Sequence, residues 1–414
     1  MRVLLITNYF PPHYVGGAEV VVYNNCHGLL QRDIDASVLM INARIPQARD
    51  EHHLVQGVPV HEVTYRPYAM ANALSQAFDP RVYRGVVAEL QRLRPDLVHI
   101  HNVSGSTLAP FLACDRLKIP TVLTLHDHWL LCPNNMLYKA DGTLCDPAEK
   151  PSGCGDCFRR QDFWANIPWR RRIFASFVRN VRLFISPSHK LVDLHVAAGY
   201  DRSRFRVVRN AIKPGLFEAP SDPLVREVVR EFGLYKTLLF AGSVVETKGM
   251  ATLIQAVPLL SETIDGFRLV VAGSGDERFM SVWRSADPTV VRALGRVPFQ
   301  EMRALYAAAD LTVIPSIWYE NSPMVIYESL LAGTPVLGSD IGGIPELIEP
   351  GKTGYLFPPG DPAALTEQVT RHFARSPCER RGMRRCCVDH ARAHMVLDRH
   401  LDRLQRVYAE VLAI

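Results

Sequence analysis

Short apolar runs alternate with helical patterns from one end of the chain to the other. In the first half the runs are RVLLITNY, DASVLMIN, LVHIHN, TVLTLH and LFISPS; in the second they are TLLFAGS, RLVVAGSG, VRALGRV, LTVIPS, PVLGSD and GYLFPP. This alternation is typical of parallel βαβ units. Because 414 residues are too many for one hydrophobic core, it predicts an α/β protein with two tandem, doubly wound, Rossmann-like parallel-sheet domains.

Nearly every predicted strand ends in Gly, Ser, Asn, His or Asp. Open α/β sheets bind ligands beyond the carboxyl ends of their strands. The functional side chains are therefore expected at these ends.

Two interruptions of the pattern suggest the domain boundaries. The stretch NAIKPGLFEAPSDP predicts a linker, which gives a first domain of residues 1–213 and a second of 214–388. Residues 389–414 contain a final amphipathic helix, expected to cross back to the first domain. The irregular stretch 130–160 is longer than a usual loop, so it is expected either to have a function or to be held together by a cross-link.

Composition indicates a soluble globular protein, with 48% hydrophobic and 21% charged residues. No apolar run approaches the roughly 18 residues of a membrane span, and MRVLLITNYFPP resembles a first strand more than a signal peptide. A cytoplasmic location is expected. Residues 1–213 carry 26 Lys and Arg against 18 Asp and Glu, a net +8, whereas residues 214–414 carry −3. The first half is therefore expected to meet an anionic partner.

Two glutamates flank a predicted helix start in IWYENSPMVIYESLLAGTPVLGSD. Ser322 is a suitable N-cap, Pro323 suits the first helical position, and Gly333 suits the position after the helix. The first amides of such a helix form an anion site. Glu320 before it and Glu328 within it then place a carboxylate on either side of a phosphate, where both can bind sugar hydroxyls. Two incidental surface acids beside a capped helix are the alternative.

Several motifs, in order along most of the chain, resemble those of the retaining glycosyltransferase family 4, also called group 1, which has the GT-B fold. YENSPMVIYESLLAGTPVLGSDIGGIPELIEPGKTGYLFPPGD resembles its donor-site block, and NYFPPHYVGGAE its N-terminal glycine loop. DLVHIHN and VLTLHDHW resemble its strand-end histidines, VVRNAI its interdomain motif, FAGSVVETKG its phosphate-lysine motif, and RALGRVPFQEMRALYAAADLTVIPS its base-binding region. The resemblance implies two domains facing a central cleft, and metal-independent transfer of a sugar from a nucleotide sugar.

The resemblance also implies roles for individual residues. Glu320 would contact the hydroxyls of the donor sugar, Glu328 the ribose, and Lys248 the diphosphate. His126 would lie over the transferred sugar. The other residues implied in donor binding are Gly16, Gly17, Gly242, Ser243, Arg296, Asn321, Ser322, Pro323, Met324 and Val325.

The chain departs from the family at two positions of this set. Ser243 stands where the family often has an arginine that helps to clamp the phosphates, and Pro323 where many members have glycine. Part of the phosphate clamp is therefore missing or supplied elsewhere.

Four cysteines, Cys132, Cys145, Cys154 and Cys157, lie within the irregular stretch and end in a C-x2-C pair. In a reducing compartment this spacing predicts a structural zinc site, with scattered free thiols as the alternative. For His99, His101 and the HDH at 126–128, a metal site is an alternative to buried, hydrogen-bonded imidazoles, which we favour.

The segment 159–182 contains seven Arg and one Asp among two Trp and three Phe. It suits peripheral contact with an anionic membrane or a lipid-linked acceptor, and equally a solvated helix with an aromatic stripe facing the core. No nucleic-acid motif accompanies it, so nucleic acid is not expected as a partner.

These observations predict a retaining glycosyltransferase, located in the cytoplasm or at the inner face of the membrane. It would use a UDP- or GDP-sugar, a glycan or lipid-linked acceptor and no catalytic cofactor. An epimerase or phosphorylase of the same fold, or a zinc-stapled protein that binds glycan or nucleic acid without turnover, are the alternatives.

Overall fold

The predicted alternation of strands and helices is present in the computed structural model, which describes residues 1–13, 16–66, 77–101, 104–148, 157, 170–212 and 221–413. The chain divides into two units. Unit 1 comprises Met1–Asn210 and Leu397–Ile414, and unit 2 comprises Ala211–Val396.

Unit 1 is built on an eight-stranded sheet in the order β3-β4-β2-β1-β5-β6-β7-β8. Its strands are β1 Arg2–Thr7, β2 Asp35–Asn42, β3 Arg49–Val55, β4 Val58–Thr64, β5 Leu97–Ile100, β6 Thr121–Thr124, β7 Leu183–Ser186 and β8 Phe205–Val207. Its helices in the described residues are α1 Ala18–Leu30, α2 Pro80–Leu93, α3 Ala109–Leu117, α4 Arg170–Phe177, α5 His189–Ala197 and α13 Leu397–Ala413. Short apolar strands such as β5 and β6 are buried along their whole length, as expected for a parallel sheet covered on both faces.

Unit 2 is built on a six-stranded parallel sheet in the order β11-β10-β9-β12-β13-β14. Its strands are β9 Lys236–Ala241, β10 Phe267–Ala272, β11 Val291–Gly295, β12 Leu311–Ile314, β13 Val336–Ser339 and β14 Gly354–Phe357. Its helices in the described residues are α6 Pro223–Glu231, α7 Met250–Thr263, α8 Glu277–Ser285, α9 Phe299–Ala308, α10 Met324–Leu331, α11 Pro362–Phe373 and α12 Pro377–His394. The strand order reverses between β9 and β12, and a doubly wound sheet binds its ligand at this switch point.

All eleven predicted strands are present, and the described residues contain three further strands that were not predicted. β3 and β4 form an antiparallel hairpin at the edge of the unit 1 sheet, joined by Gln56 and Gly57, both with positive φ. Most residues of β3 are exposed, so the strand lacks the apolar run on which the prediction relied. β8 has only three residues.

The final helix belongs to unit 1, where it packs on α1 and β6. The residues expected to form its packed face are buried: Leu401, Leu404, Val407, Tyr408 and Val411. The predicted boundary at 388/389 falls inside α12, and the change of unit comes at 396/397, between α12 and α13. Among the described residues, no helix is both long and apolar enough to cross a membrane.

Candidate functional site

Lys248 and Glu320 form an ion pair at the switch point of the unit 2 sheet. Lys248 ends the short 3-10 turn Glu246–Lys248 that follows β9, and Glu320 lies on the loop after β12. The two loops are joined by the amide of Ile317, which donates to the carbonyl of Thr247 at 2.9 Å. The prediction assigned these residues to different parts of the donor, whereas the protein pairs them directly.

Three donors converge on one oxygen of Glu320. Oε1 accepts hydrogen bonds from Lys248 Nζ, from Ser316 Oγ at 2.9 Å and from the indole Nε1 of Trp318 at 3.0 Å. Burial alone would raise the pKa of Glu320, but the Lys248 ammonium and these hydrogen bonds outweigh it and hold the pKa below its usual value. Glu320 is therefore an ionised, oriented carboxylate at neutral pH, and Oε2 has no protein donor among the described residues.

Two glycines fix the backbone around this ion pair. Gly249 follows Lys248 with a φ of +74°, and a Cβ there would lie 1.7 Å from the carbonyl oxygen of Pro315. Gly342 has a φ of +63°, and a Cβ there would lie 2.4 Å from the carbonyl oxygen of Glu320. Only glycine combines this conformation with such close approach of two backbone segments.

Helix α10 begins a few residues after Glu320, but not at the residue that the sequence predicted. Pro323 is the N-cap, without a side-chain cap, and Met324 is the first helical residue. Ser322 does not cap the helix, because its hydroxyl is hydrogen-bonded to the hydroxyl of Tyr327 at 2.6 Å. Helix geometry leaves the amides of Met324 and Val325 without intrahelical acceptors, which suits an anion. The predicted end is confirmed, since Gly333 follows the C-cap with a φ of +81°.

Glu328 lies on α10 in a less polar setting than Glu320. Its side chain is half-buried and hydrogen-bonded to Tyr306, which is itself buried. Withdrawal from water raises the pKa of Glu328 to about 7, although the Tyr306 hydroxyl and the charge of Arg303 favour the ionised form. The two glutamates of the motif therefore differ in protonation near neutral pH.

The remaining predicted donor-binding residues of unit 2 occupy loops after its strands. Gly242, with a φ of +142°, and Ser243 are exposed directly after β9. Arg296 is exposed directly after β11. Asn321 is half-buried between Glu320 and Ser322.

Residues predicted in unit 1 lie after β1 and β6. Gly16 and Gly17 precede α1, and the amide of Gly16 donates to Glu19 Oε2 at 2.8 Å. A Cβ at Gly16 would meet nothing within 4 Å. His126 follows β6 and is hydrogen-bonded to His101, which follows β5. Burial, assisted by the nearby His400, lowers the pKa of His126 to about 4, so its imidazole is neutral at pH 7.

His99 and His101 are buried and hydrogen-bonded, and His126 is half-buried and hydrogen-bonded to His101, as favoured over a metal site. Both nitrogens of His99 are engaged, Nδ1 with the Tyr408 hydroxyl and Nε2 with the Thr124 hydroxyl, each at 2.6 Å. Among the cysteines, Cys132, Cys145 and Cys157 are half-buried, while Cys154 lies outside the described residues. Within the described ranges no group of three metal-ligating side chains is assembled, so the zinc site stays a prediction. In the basic aromatic segment, residues 159–169 also lie outside those ranges, whereas 170–182 include α4, on which Arg170 and Phe174 are buried.

Sequence reasoning missed Trp318 and Tyr306, which contact the two glutamates. Trp318 stands two residues before Glu320, so its proximity was readable from the sequence, although its direction was not. Tyr306 lies on α9 and meets Glu328 only through tertiary packing. No local signal identifies it.

Comparisons with known proteins agree with this fold. The family model of glycosyltransferase family 4 matches residues 15–216, and that of glycosyl transferases group 1 matches residues 235–375. The putative teichuronic acid biosynthesis glycosyltransferase TuaC of Bacillus subtilis is 26% identical, over 90% of this chain and 89% of its own. The D-inositol 3-phosphate glycosyltransferase of Thermomonospora curvata is also 26% identical, over 95% of this chain and 90% of its own.

Solved structures share the architecture. HepE of Anabaena, in complex with UDP, superposes with a TM-score of 0.71 at 18% identity and covers 99% of this chain and 100% of its own. Sucrose-phosphate synthase of Thermosynechococcus elongatus gives a TM-score of 0.74, also at 18% identity, and covers 100% of this chain and 99% of its own. The chain therefore belongs to the group 1 glycosyltransferases of family 4 and has their GT-B fold.

Proposed function

We propose that this protein transfers a sugar from a nucleoside diphosphate sugar to a glycan or lipid-linked acceptor, with retention at the anomeric carbon and without a catalytic metal. The observation that carries the proposal is the Lys248–Glu320 ion pair beside the uncapped start of α10. It combines a cation, free amides and an ionised carboxylate at the switch point of a doubly wound sheet. These groups suit a diphosphate and the hydroxyls of a sugar.

In the proposed donor complex the diphosphate lies against Lys248 and the amides of Met324 and Val325. The sugar hydroxyls donate to Glu320 Oε2. Lys248 then pairs with two anions, Glu320 and the diphosphate. The pair with Glu320 holds its ammonium in place before the donor binds. Such preorganised charge stabilises the leaving group without reorganisation during the reaction.

The proposed reaction exchanges one bond at the anomeric carbon. The bond from that carbon to the phosphate oxygen breaks, and its electron pair stays on the diphosphate. The acceptor hydroxyl oxygen bonds to the carbon on the same face, and its proton passes to the departing phosphate oxygen. No protein nucleophile is assigned, and Glu320 positions the sugar.

Relatives support the class of donor and acceptor. The name of TuaC refers to teichuronic acid biosynthesis, which favours a polysaccharide acceptor. HepE has been crystallised with UDP-glucose, which makes UDP-glucose a suitable first probe.

Slow hydrolysis of the donor tests this proposal without knowledge of the acceptor. The protein is incubated with UDP-, GDP- and ADP-sugars in the presence of EDTA, and the released sugar is followed by proton NMR before its anomers equilibrate. Release of the donor's own anomer from one nucleotide class, abolished in Glu320→Ala, is expected. Release of the opposite anomer, dependence on added metal, or turnover of no donor would overturn the corresponding part of the proposal.

A further inference from the structure

A row of three imidazoles crosses the carboxyl ends of β5 and β6 in unit 1. The His99 ring lies against the His101 ring, with centroids 3.9 Å apart. His99 is itself held by hydroxyls on both nitrogens, one of them from Tyr408 on α13. The row ends at His126, the residue assigned to the donor sugar.

The contact between His101 and His126 is a hydrogen bond between two nitrogens. His101 Nδ1 and His126 Nε2 are 3.0 Å apart. The ring centroids are 5.3 Å apart and the planes differ by 24°, so the rings meet edge to edge. This geometry directs an N–H of one ring along the lone pair of the other.

Both imidazoles are neutral, because burial lowers the pKa of His101 well below its usual value and that of His126 to about 4. Each ring then carries one proton, and two arrangements are possible. Either His101 Nδ1–H donates to His126 Nε2, or His126 Nε2–H donates to His101 Nδ1.

The second nitrogen of His101 distinguishes the two arrangements. His101 is 2% exposed, and its Nε2 is buried with no hydrogen-bond partner in the part of the chain that the structure describes. If His126 were the donor, the proton of His101 would lie on this Nε2, and a buried N–H would have no acceptor. Buried N–H groups without acceptors are rarer in proteins than incompletely satisfied acceptors.

We propose that His101 is a positioning residue that donates from Nδ1 to His126 Nε2 and thereby fixes His126 as the Nδ1–H tautomer. His126 can then only donate through Nδ1, and its one lone pair is occupied. Any group that contacts His126 Nδ1 must consequently accept a hydrogen bond, and no base catalysis by His126 is available. The effect of His101 on donor turnover rests on the proposed function.

The tautomer is measured directly in the ligand-free protein. Histidine is labelled with ¹⁵N, and long-range ¹H–¹⁵N correlation spectra report which nitrogen of His126 carries the proton; a His126→Asn variant assigns the signals. A protonated Nδ1 and an unprotonated Nε2 are expected. The reverse pattern overturns the proposal, whether or not any donor is turned over.

Substitutions of His101 test the positioning role. His101→Asn keeps an amide N–H that can donate to His126, His101→Leu removes the donor, and His101→Asp offers only acceptors. The asparagine variant is expected to keep the Nδ1–H signal of His126 and to lose less donor turnover than the leucine variant, which should lose about tenfold or more. The aspartate variant should move the proton to Nε2.

His195→Leu is the matched control. His195 is also buried in unit 1, has a pKa lowered to about 3 by burial, and has no hydrogen-bond partner for Nε2 among the described residues. Its Nδ1 is bonded to the carbonyl of Leu191, away from His126. An equal loss of turnover in His195→Leu and His101→Leu, with an unchanged His126 tautomer, would reduce His101 to a packing residue and overturn the proposal.

Discussion

Trp318 contacts both members of the ion pair. Its indole N–H donates to Glu320 Oε1 at 3.0 Å, and Lys248 Nζ lies 5.6 Å from the centroid of its ring. A hydrogen bond to a charged group contributes about 1.5–3 kcal/mol. The Trp318 side chain therefore contributes to the orientation of the carboxylate before any ligand binds.

Trp318→Phe keeps the aromatic ring and removes the donor. We expect donor turnover to fall by about tenfold or more, because Glu320 loses one of its three constraints. Steady-state kinetics with the donor found by the hydrolysis panel measures the loss. Trp283→Phe is the control, since the Trp283 indole N–H is buried in the same unit without a partner among the described residues. Equal losses in the two variants would refute a specific role for Trp318.

We expect Glu328 to make donor binding depend on pH, because the family resemblance assigns it to the ribose hydroxyls. With a pKa of about 7, its carboxylate is lost as the pH falls through that value. The affinity for a nucleotide sugar should be constant above about pH 8 and fall by up to tenfold per pH unit below 7. Titration calorimetry between about pH 5.5 and 8.5 measures it. A curve that is unchanged in Glu328→Gln would assign the dependence to another group.

The raised pKa of Glu328 also makes the stability of the protein depend on pH. The pKa of Glu328 is raised from 4.5 to about 7, so the folded protein binds this proton more tightly than the unfolded chain. Its contribution is fully present below pH 4.5 and lost as the pH rises through 7. Glu328→Gln should therefore raise Tm relative to the wild type more at pH 8 than at pH 5.

At the scale of elements, the sequence predicted what local patterns determine. Parallel strands such as β5 and β12 are mostly apolar and buried along their whole length, and Gly333 marks the end of α10. The β3–β4 hairpin was missed because its outer strand is polar and gains its structure from pairing with β4. Likewise, serine is a common N-cap residue, but the Ser322 hydroxyl is hydrogen-bonded to the Tyr327 hydroxyl instead of to the start of the helix.

The candidate site was predictable in its residue types and not in its contacts. Lys248 and Glu320 are 72 residues apart, and only the order of β9 and β12 in the sheet brings them together. The resemblance to a family selected them. Their direct pairing, and the difference in pKa between Glu320 and Glu328, follow from burial and neighbours that the sequence does not display.

Gly342→Ala tests how the loop after β13 supports Glu320. The substitution should destabilise the protein and lower donor turnover, because a Cβ would meet the Glu320 carbonyl and the Gly343 amide donates to that same carbonyl at 2.6 Å. Gly351→Ala separates the backbone cost, since Gly351 has a φ of +80° and nothing within 4 Å of a Cβ. At both positions an alanine in the left-handed region costs about 1–2 kcal/mol of stability. Equal effects of the two substitutions on Tm and on turnover would show that the contact with the Glu320 carbonyl has no role.

At the scale of the whole molecule, the chain passes through unit 1, then unit 2, and returns to unit 1 with α13. Tyr408 on that helix is hydrogen-bonded to His99 in the histidine row. The C-terminal segment is thus part of the structure that supports His126, while Lys248 and both glutamates belong entirely to unit 2. Each unit carries a separate set of polar groups, so substitutions in unit 2 test the proposed donor binding by that unit.

The Lys248–Glu320 pair is proposed to recognise a sugar nucleotide, with the diphosphate on Lys248 and the sugar on Glu320. Titration calorimetry in EDTA compares a nucleoside diphosphate with its sugar derivative for the wild type, Lys248→Met and Glu320→Gln. Lys352→Met serves as the control, since Lys352 forms an exposed pair with Glu349 in the same unit. We predict that Lys248→Met weakens both ligands, whereas Glu320→Gln weakens the sugar derivative by about tenfold and leaves the diphosphate undiminished. An equal loss of affinity for both ligands in Glu320→Gln, or affinities unaffected by Lys248→Met, would contradict this assignment of the diphosphate and the sugar.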